Sequence, residues 1–267
     1  MTRLAEPAPA KLNLALHVRA KRPDGHHAIE TLFAFCVDGD RVEAEDADDL
    51  TLKVSGPFAE AIDGNNLVLR AAYALREAAG IDRGAALSLT KALPISSGIG
   101  GGSADAAATL RLLTRLWSID SHHASAVAPA LGADVPACLL SMTARGTGAG
   151  DQIELVEGAG VAGIPVLLVN PLVALPTAAV FAGWDGADRG PLGDWRVGRN
   201  DLEAAARHLV PQIGDLLDWL QAQPGANAVR MSGSGATCFA LFDDEASRDA
   251  AAAACPESWW HLASVLR

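Results

Sequence analysis

Apolar residues at every second position open the chain. Leu12, Leu14, Leu16 and Val18 share one face of segment 8–19; Lys11, Asn13, His17 and Arg19 share the other. A period of two predicts a β-strand with an apolar and a polar face; the plain reading of the polar face is solvation, and a functional face is the alternative. Lys11 and Asn13 point the same way at its start, next to the turn residue Pro9. At 21–27, Pro23 sets φ and Asp24-Gly25 supplies turn chemistry ahead of His26 and His27. Segments 29–35, 40–45 and 51–55 read as further strands. The early chain thus predicts antiparallel β structure with hairpin-like spacing.

The period then lengthens. Leu67, Val68, Ala71, Ala74, Leu75 and Ala78 predict a helix, with Asn65-Asn66 as its cap and Gly80 as its stop. Asn66 is open to a second role, since a side chain at a helix start also faces any ligand there. Ala85, Leu87 and Leu89 predict a half-exposed strand that leads to Pro94. Ala106, Leu110, Leu113 and Trp117 fall on one helical face, and a short helix is predicted over 123–131. A turn at 146–150 and a strand over 152–156 close this half. Segment 158–163 is small and glycine-rich, so the domain boundary is placed there, dividing 1–158 from 159–267.

Beyond the boundary, 165–169 is a continuous apolar strand, and Pro176 suits the first turn of a helix that includes Val180 and Phe181. Segment 182–198 reads as an irregular loop. Helices are predicted from Asn200 to Leu209 and along Ile213, Leu216, Leu217 and Leu220, and over 246–254. Strands are predicted over 228–231 and 237–242, with a glycine turn at 232–236 and a short strand in the tail. The C-terminal half reads as α+β, one sheet covered by helices.

The chemistry concentrates between the strand at 85–93 and the helix after it. Gly98, Gly100, Gly101 and Gly102 precede Ser103. Glycine permits positive φ and close backbone approach, and amides gathered at a helix N-terminus make an anion site. A P-loop needs Gly-Lys-Ser/Thr, and no lysine follows Gly102. A dinucleotide fingerprint lacks its third glycine at Ser103, and the preceding strand alternates where that fold needs one buried on both faces. A ligand-free linker does not fit a position between a clean strand and a clean helix. A nucleoside triphosphate held by backbone amides remains. Ser103 can cap the helix, donate to phosphate, or ligate Mg²⁺. Asp105 is an awkward neighbour for phosphate and is expected to point away or to sit near the metal.

Composition narrows the partners. The 267 residues carry 21 Lys and Arg against 32 Asp and Glu, a formal charge of −11. That balance disfavours general nucleic-acid binding, so polyanionic small molecules must be held by local devices. Cys36, Cys138, Cys238 and Cys255 form no C-x-x-C pair and read as free, mostly buried thiols, without zinc-ligand spacing. No signal pattern or long apolar run is present, and a cytoplasmic protein is expected.

The motifs carry a resemblance. Pro94 to Ser103 follows the pattern P-x-x-x-G-[LI]-G-G-[GS]-S of the superfamily that includes galactokinase, homoserine kinase and mevalonate kinase (GHMP). Pro9-Ala-Lys-Leu-Asn-Leu, Arg22-Pro-Asp-Gly-His-His, Asn66-Leu-Val, Leu131-Gly-Ala-Asp-Val-Pro, Pro176-Thr, Asn200-Asp and Ser232-Gly-Ser-Gly-Ala extend it over nearly the whole chain. Within the superfamily the chain resembles the branch that acts on a cytidine diphosphate-linked methylerythritol. The resemblance implies an α+β, two-domain GHMP-kinase-like fold with the active-site cleft between domains: an ATP-binding and catalytic N-terminal domain (1–158) and a C-terminal α+β domain (159–267). It implies ATP- and Mg²⁺-dependent phosphorylation of the 2-hydroxyl of 4-(cytidine 5′-diphospho)-2-C-methyl-D-erythritol, in the non-mevalonate route to isoprenoid precursors.

Residue by residue, the resemblance makes Asp134 the catalytic aspartate and Lys11 its partner, against the plainer reading of a structural ion pair. It assigns ATP to Asn66, Lys91, Pro94, Ile95, Ser96, Ser97, Gly98, Ile99, Gly100, Gly101, Gly102, Ser103 and Ala104. It assigns the cytidylyl substrate to Asn13, Asp24, Gly25, His26, His27, Thr177 and Phe181, with Phe181 stacking and His27 bonding the base. Gly233 and Gly235 match a motif that packs on the nucleotide loop. Two departures stand out: His26 occupies a position often filled by a stacking tyrosine, and Ala104 replaces a frequent second serine. Two other readings stay open, a homoserine-type kinase and a non-catalytic nucleotide binder. Affinity for cytidine nucleotides and ATP turnover separate them.

Overall fold

A computed structural model describes residues 3–62, 66–157 and 159–267. Asn65 of the expected cap and Gly158 at the expected boundary lie outside the described residues. The elements are β1 (Leu4–Lys21), β2 (His27–Ala47), β3 (Leu50–Ser55), α1 (Leu67–Ala79), β4 (Gly84–Thr90), α2 (Gly101–Trp117), α3 (His122–Leu131), α4 (Val135–Leu140), β5 (Ala144–Thr147), β6 (Gln152–Leu155), β7 (Pro165–Asn170), α5 (Thr177–Ala182), α6 (Glu203–Leu209), α7 (Gln212–Gln221), β8 (Ala226–Met231), β9 (Cys238–Phe242), α8 (Glu245–Ala253) and β10 (Trp260–Val265). The mix is α+β. No helix among the described residues is long and apolar enough to cross a membrane.

The chain packs as two compact units that interleave in sequence. The first comprises residues up to Ala10, Asp38–Ile95 and Gly100–Ser141; the second comprises Lys11–Val37, Ser96–Ile99 and Met142–Arg267.

In the first unit, β4 pairs antiparallel with β2 and parallel with β3. The parallel pairing of β3 departs from the hairpin spacing expected of the early strands. α1 connects β3 to β4, and a helical crossover is what parallel neighbours require. Asn66 caps α1, its side chain accepting from the Leu69 amide, and Gly80 ends it in the left-handed region. α2 packs against α1, α3 and α4 and is buried nearly all round, not along one stripe. The two strands expected at 29–35 and 40–45 are one strand, β2. Gly39 explains the continuity: a Cβ there would lie 2.1 Å from the Ala8 carbonyl oxygen, so only glycine lets the chain run straight past β1.

In the second unit, β5 pairs with β2 and β6 pairs with β5, both antiparallel. A separate antiparallel sheet has the order β10-β7-β9-β8. Its core gathers Leu167, Val169, Cys238, Ala240 and Phe242 with Leu202, Ala206, Ile213, Leu216 and Leu220 of the helical layer. This is the helix-covered sheet expected from periodicity. Burying apolar area on this scale, about 25 cal/mol per Å², is what holds such a layer together.

Candidate functional site

The polar face of β1 is not solvated. Lys11 and Asn13 are each only 3% exposed, and His17 is buried as well. A charged group this deep needs partners. The Lys11 ammonium donates to Asn13 Oδ1 at 3.0 Å and lies 5.1 Å from the Phe33 ring centroid. Asn13 Nδ2 donates to Thr31 Oγ1 at 2.8 Å, and that hydroxyl donates to the Ala15 carbonyl at 2.7 Å. Each member fixes the next, so Lys11 is presented in one orientation.

The middle of the glycine loop packs in the same unit. The Lys11 amide donates to the Ile99 carbonyl at 2.9 Å, and the Thr237 amide to the Ser97 carbonyl at 3.1 Å. Ser232 is the junction: its hydroxyl donates to the Gly98 carbonyl at 3.0 Å and accepts from the Asn13 amide at 3.1 Å. A Cβ on Gly98 would lie 2.5 Å from the Ser232 carbonyl oxygen. The turn at 232–236 is clamped by Asn200, whose Nδ2 donates to the carbonyls of Met231 and Gly233, both at 2.8 Å. Sequence motifs flagged Asn200 and the glycine turn. Nothing local pointed to Ser232 or Thr31 as the connecting hydroxyls.

The loop backbone alternates through the left-handed region at Ser96 (φ 50°), Gly98 (φ 77°) and Gly100 (φ 64°). Left-handed residues at alternate positions are the backbone habit from which anion-binding nests are built. Ile95, Ser96 and Gly102 are exposed along it. Helix α2 begins at Gly101, two residues before the expected start, with Gly100 in the cap position. Gly101, Gly102 and Ser103 are therefore its first turn, and their amides are the helix's unpaired donors. Ser103 does not cap; it is the third helical residue.

Other expected residues fall in the first unit. Asp134 stands at the N-cap of α4 and is half-buried. The Ser103 hydroxyl oxygen lies 4.0 Å from where a Cβ on Gly132, two residues before Asp134, would stand. Pro94 is buried, and Ala104 is buried within α2. Lys91 is 1% exposed, and its ammonium donates to Asp40 at 2.5 Å and to Asp105 at 2.7 Å. Its charge is thus spent inside the protein, beneath Gly101, whose Cβ would stand 3.1 Å from Lys91 Nζ. Asp105 turns its carboxylate to the Lys91 ammonium. Burial pushes the Asp105 carboxyl up to about 7; Lys91 pulls it down while neighbouring Asp40 adds to the rise. Burial also works against the Lys91 ammonium, but the two carboxylates outweigh it and hold its pKa above the usual lysine range.

The expected cytidine residues separate into two groups. The His27 and Phe181 rings meet at 5.0 Å between centroids, tilted by 32°. The Thr177 hydroxyl, one helical turn before Phe181, lies 2.9 Å from the Ser234 hydroxyl. Burial is the first cause that lowers the His27 pKa, with Lys21 and His26 adding to it, so the ring is neutral near pH 7. His26, by contrast, has a side chain 71% exposed and lies 3.5 Å from Asp24. Asp24 and Gly25 are exposed in the turn, where Asp24 accepts from the His26 amide and from Arg22. Trp184 joins the ring pair at 5.6 Å from His27, edge to face. It was read only as part of an irregular loop.

None of the four cysteines forms a disulfide, and three of them are buried. Among the described residues no group of three or more His, Cys, Asp or Glu side chains is placed to hold a metal.

Comparison with known proteins agrees with this organisation. The GHMP kinases N terminal domain matches residues 66–142, and the GHMP kinases C terminal family matches 188–260. A 4-diphosphocytidyl-2-C-methyl-D-erythritol kinase of Rhizorhabdus wittichii is 54% identical, over 98% of this chain and 94% of that protein. One from Sphingopyxis alaskensis is 50% identical, over 97% of this chain and 96% of its own length. A crystal structure of 4-(cytidine 5′-diphospho)-2C-methyl-D-erythritol kinase superposes with a TM-score of 0.86 at 33% identity, covering 98% of this chain and 99% of that one. On sequence and fold together, the chain belongs to the 4-diphosphocytidyl-2-C-methyl-D-erythritol kinases, a family of the GHMP kinases.

Proposed function

We propose that this chain transfers the γ-phosphoryl group of ATP to the 2-hydroxyl of 4-(cytidine 5′-diphospho)-2-C-methyl-D-erythritol. The observation that carries the substrate assignment is the neutral His27 ring set against Phe181, with Thr177 one helical turn before it. A neutral imidazole both donates and accepts, which suits the edge of a cytosine, while Phe181 offers its face for stacking. At 5.0 Å between centroids there is no room for a base between the two rings, so the base stacks on an outer face.

Phosphoryl transfer asks a protein mainly for positioning and charge stabilisation. The nest at 96–100 and the first amides of α2 hold the phosphates. Asp134 accepts the proton of the 2-hydroxyl as that oxygen bonds to the γ-phosphorus and the bond to the bridging oxygen of ADP breaks. Lys11, oriented by Asn13, stabilises charge on the group in transit. Asn66, its Oδ1 used by the cap, borders the nucleotide site at the start of α1, and Lys91 supports the loop from below. Segments 1–158 and 159–267 are read as the nucleotide-binding and C-terminal domains in chain order.

Mg²⁺ fits the donor set. The Ser103 hydroxyl is a hard oxygen donor that would hold the ion, and among the described residues no carboxylate cage is placed to add to it, so phosphate oxygens and water would complete its ligands. The ion supplies charge neutralisation on the phosphates, which an acidic chain otherwise lacks.

The test is ATP consumption coupled to the cytidylyl alcohol. Turnover that requires this substrate, and is not elicited by homoserine or mevalonate, supports the proposal. ATP turnover on homoserine with no affinity for CMP or CDP overturns it.

A further inference from the structure

We infer that Trp184 is a positioning residue of the cytidine subsite, holding the His27 ring in the orientation that reads the base. The inference rests on the cytidylyl reading above and goes beyond it, because Trp184 lies in the 182–198 segment, which carries no expected site residue. His27 has two ring neighbours. Phe181 lies tilted beside it, and Trp184 meets it at 88°, edge to face, with centroids 5.6 Å apart. Edge-to-face contact is the geometry in which one ring fixes the plane of another. His26, adjacent in sequence and the residue expected to contribute the second ring, is turned out to solvent and toward Asp24. The place beside His27 belongs to Trp184.

Trp184 packs against the core of the helix-covered sheet, and two further observations tie it to His27 as well. The indole N–H of Trp184 is buried with no hydrogen-bond partner among the described residues, so packing alone sets the ring's orientation. Trp184 also lines a cavity of about 420 Å³ with Arg189, Arg199 and Arg230. The indole thus touches both that cavity and the His27 ring. Trimming it enlarges an existing space and releases one side of His27, where a core residue would leave a sealed void.

The experiment compares wild type with Trp184→Leu, Trp184→Phe and His26→Ala. Binding of CMP is measured by calorimetry, and KM and kcat are measured for both substrates. Trp184→Leu is expected to raise the CMP Kd and the KM for the cytidylyl alcohol roughly tenfold, the size of one lost aromatic pair plus a freed ring. The KM for ATP is expected to stay put, and kcat at saturation to move far less than KM. Trp184→Phe, which keeps a ring edge, is expected to recover most of the affinity. His26→Ala is expected to cost less than Trp184→Leu.

Should Trp184→Leu fail to fold, tryptophan emission decides. CMP is expected to change the emission of wild type, and Trp184→Phe to lose that change while still binding CMP. An unchanged emission response in Trp184→Phe, or unchanged CMP affinity in a folded Trp184→Leu, overturns the inference while leaving the substrate assignment intact. A wild type with no CMP affinity overturns the cytidylyl reading, and this inference with it.

Discussion

Lys91 and Asp105 form an ion pair of 2.7 Å with almost none of either side chain exposed, directly beneath the first turn of α2. Asp40 completes it: its Oδ2 accepts from Lys91, and its Oδ1 accepts from the amides of Ala92 and Leu93 at 2.6 and 2.8 Å. Two buried carboxylates share one ammonium, and Asp105 Oδ1 has no hydrogen-bond partner among the described residues. Removing the cation strands both carboxylates. Lys91→Met is expected to cost about 3–5 kcal/mol, read from urea unfolding. A loss below about 1 kcal/mol would mean that the pair is solvated in solution.

The same pair predicts a pH dependence. Burial raises the native Asp105 carboxyl from an ordinary 3.8 to about 7, so the native state binds its proton more tightly than the unfolded chain. Stability contributed by such a group is present at low pH and lost as pH rises through that window, because unfolding then releases a proton. Asp105→Asn has no such proton. The stability of wild type relative to Asp105→Asn is therefore expected to fall between about pH 4 and pH 7 and to level off above it. Denaturant titrations at half-unit pH steps give the curve, and a flat difference contradicts the raised carboxyl.

Gly98 and Gly25 both have positive φ, at 77° and 86°, but only Gly98 is crowded. A Cβ at Gly98 would meet the carbonyl oxygens of Ser232 and Gly235 at 2.5 and 2.7 Å, whereas nothing lies within 4 Å of one at Gly25. Gly25→Ala is expected to cost only the left-handed penalty, about 1–2 kcal/mol. Gly98→Ala adds displacement of the loop from the 232–236 turn and is expected to weaken ATP binding, measured by calorimetry, where Gly25→Ala does not.

Asn200 holds that turn with two donors from one nitrogen. Its Oδ1 accepts from the Leu202 amide at 3.0 Å. Asn200→Ala leaves two buried carbonyls unpaired and is expected to cost about 2–4 kcal/mol. Asn200→Asp replaces the donors by acceptors facing carbonyl oxygens, so thermal unfolding should place it below the alanine variant.

Asp134→Asn keeps the shape of the side chain and removes its capacity to take a proton. A fall in kcat of about 10²–10⁴-fold is expected, with ATP affinity retained in an equilibrium binding measurement. Turnover at the wild-type rate would exclude Asp134 as the base.

Local patterns were the legible part of this protein. The Asn66 cap and the Gly80 stop of α1, the alternation of β1 and the uninterrupted apolar run of β7 follow from spacing and from which side chains satisfy a helix end. So does the strand-loop-helix order around the glycines, because φ, capping and periodicity are properties of neighbouring residues. The family motifs were equally visible, since their identity lies in residue order.

Partners distant in sequence were not visible. β3 and β4 read as alternating strands either way; their parallel pairing arises only once α1 lies between them. Val37 to Asp40 looks like a break, and only Gly39 passing the Ala8 carbonyl makes it one strand. For Lys11 and Asn13 a period of two leaves solvation and a site face both open, because it records alternation, not what covers each face. In the fold that face is closed by Thr31, Phe33 and Ser232, from remote positions. The same holds for Lys91, whose charge meets Asp40 and Asp105, and for His27, which finds Trp184 rather than its own neighbour His26. Sequence alone determined most of the elements, the cap and stop of α1, and the family. Tertiary structure decided which polar groups are buried, and hence whose charge and whose ring each one meets, because desolvation and contact depend on distance in space and not along the chain.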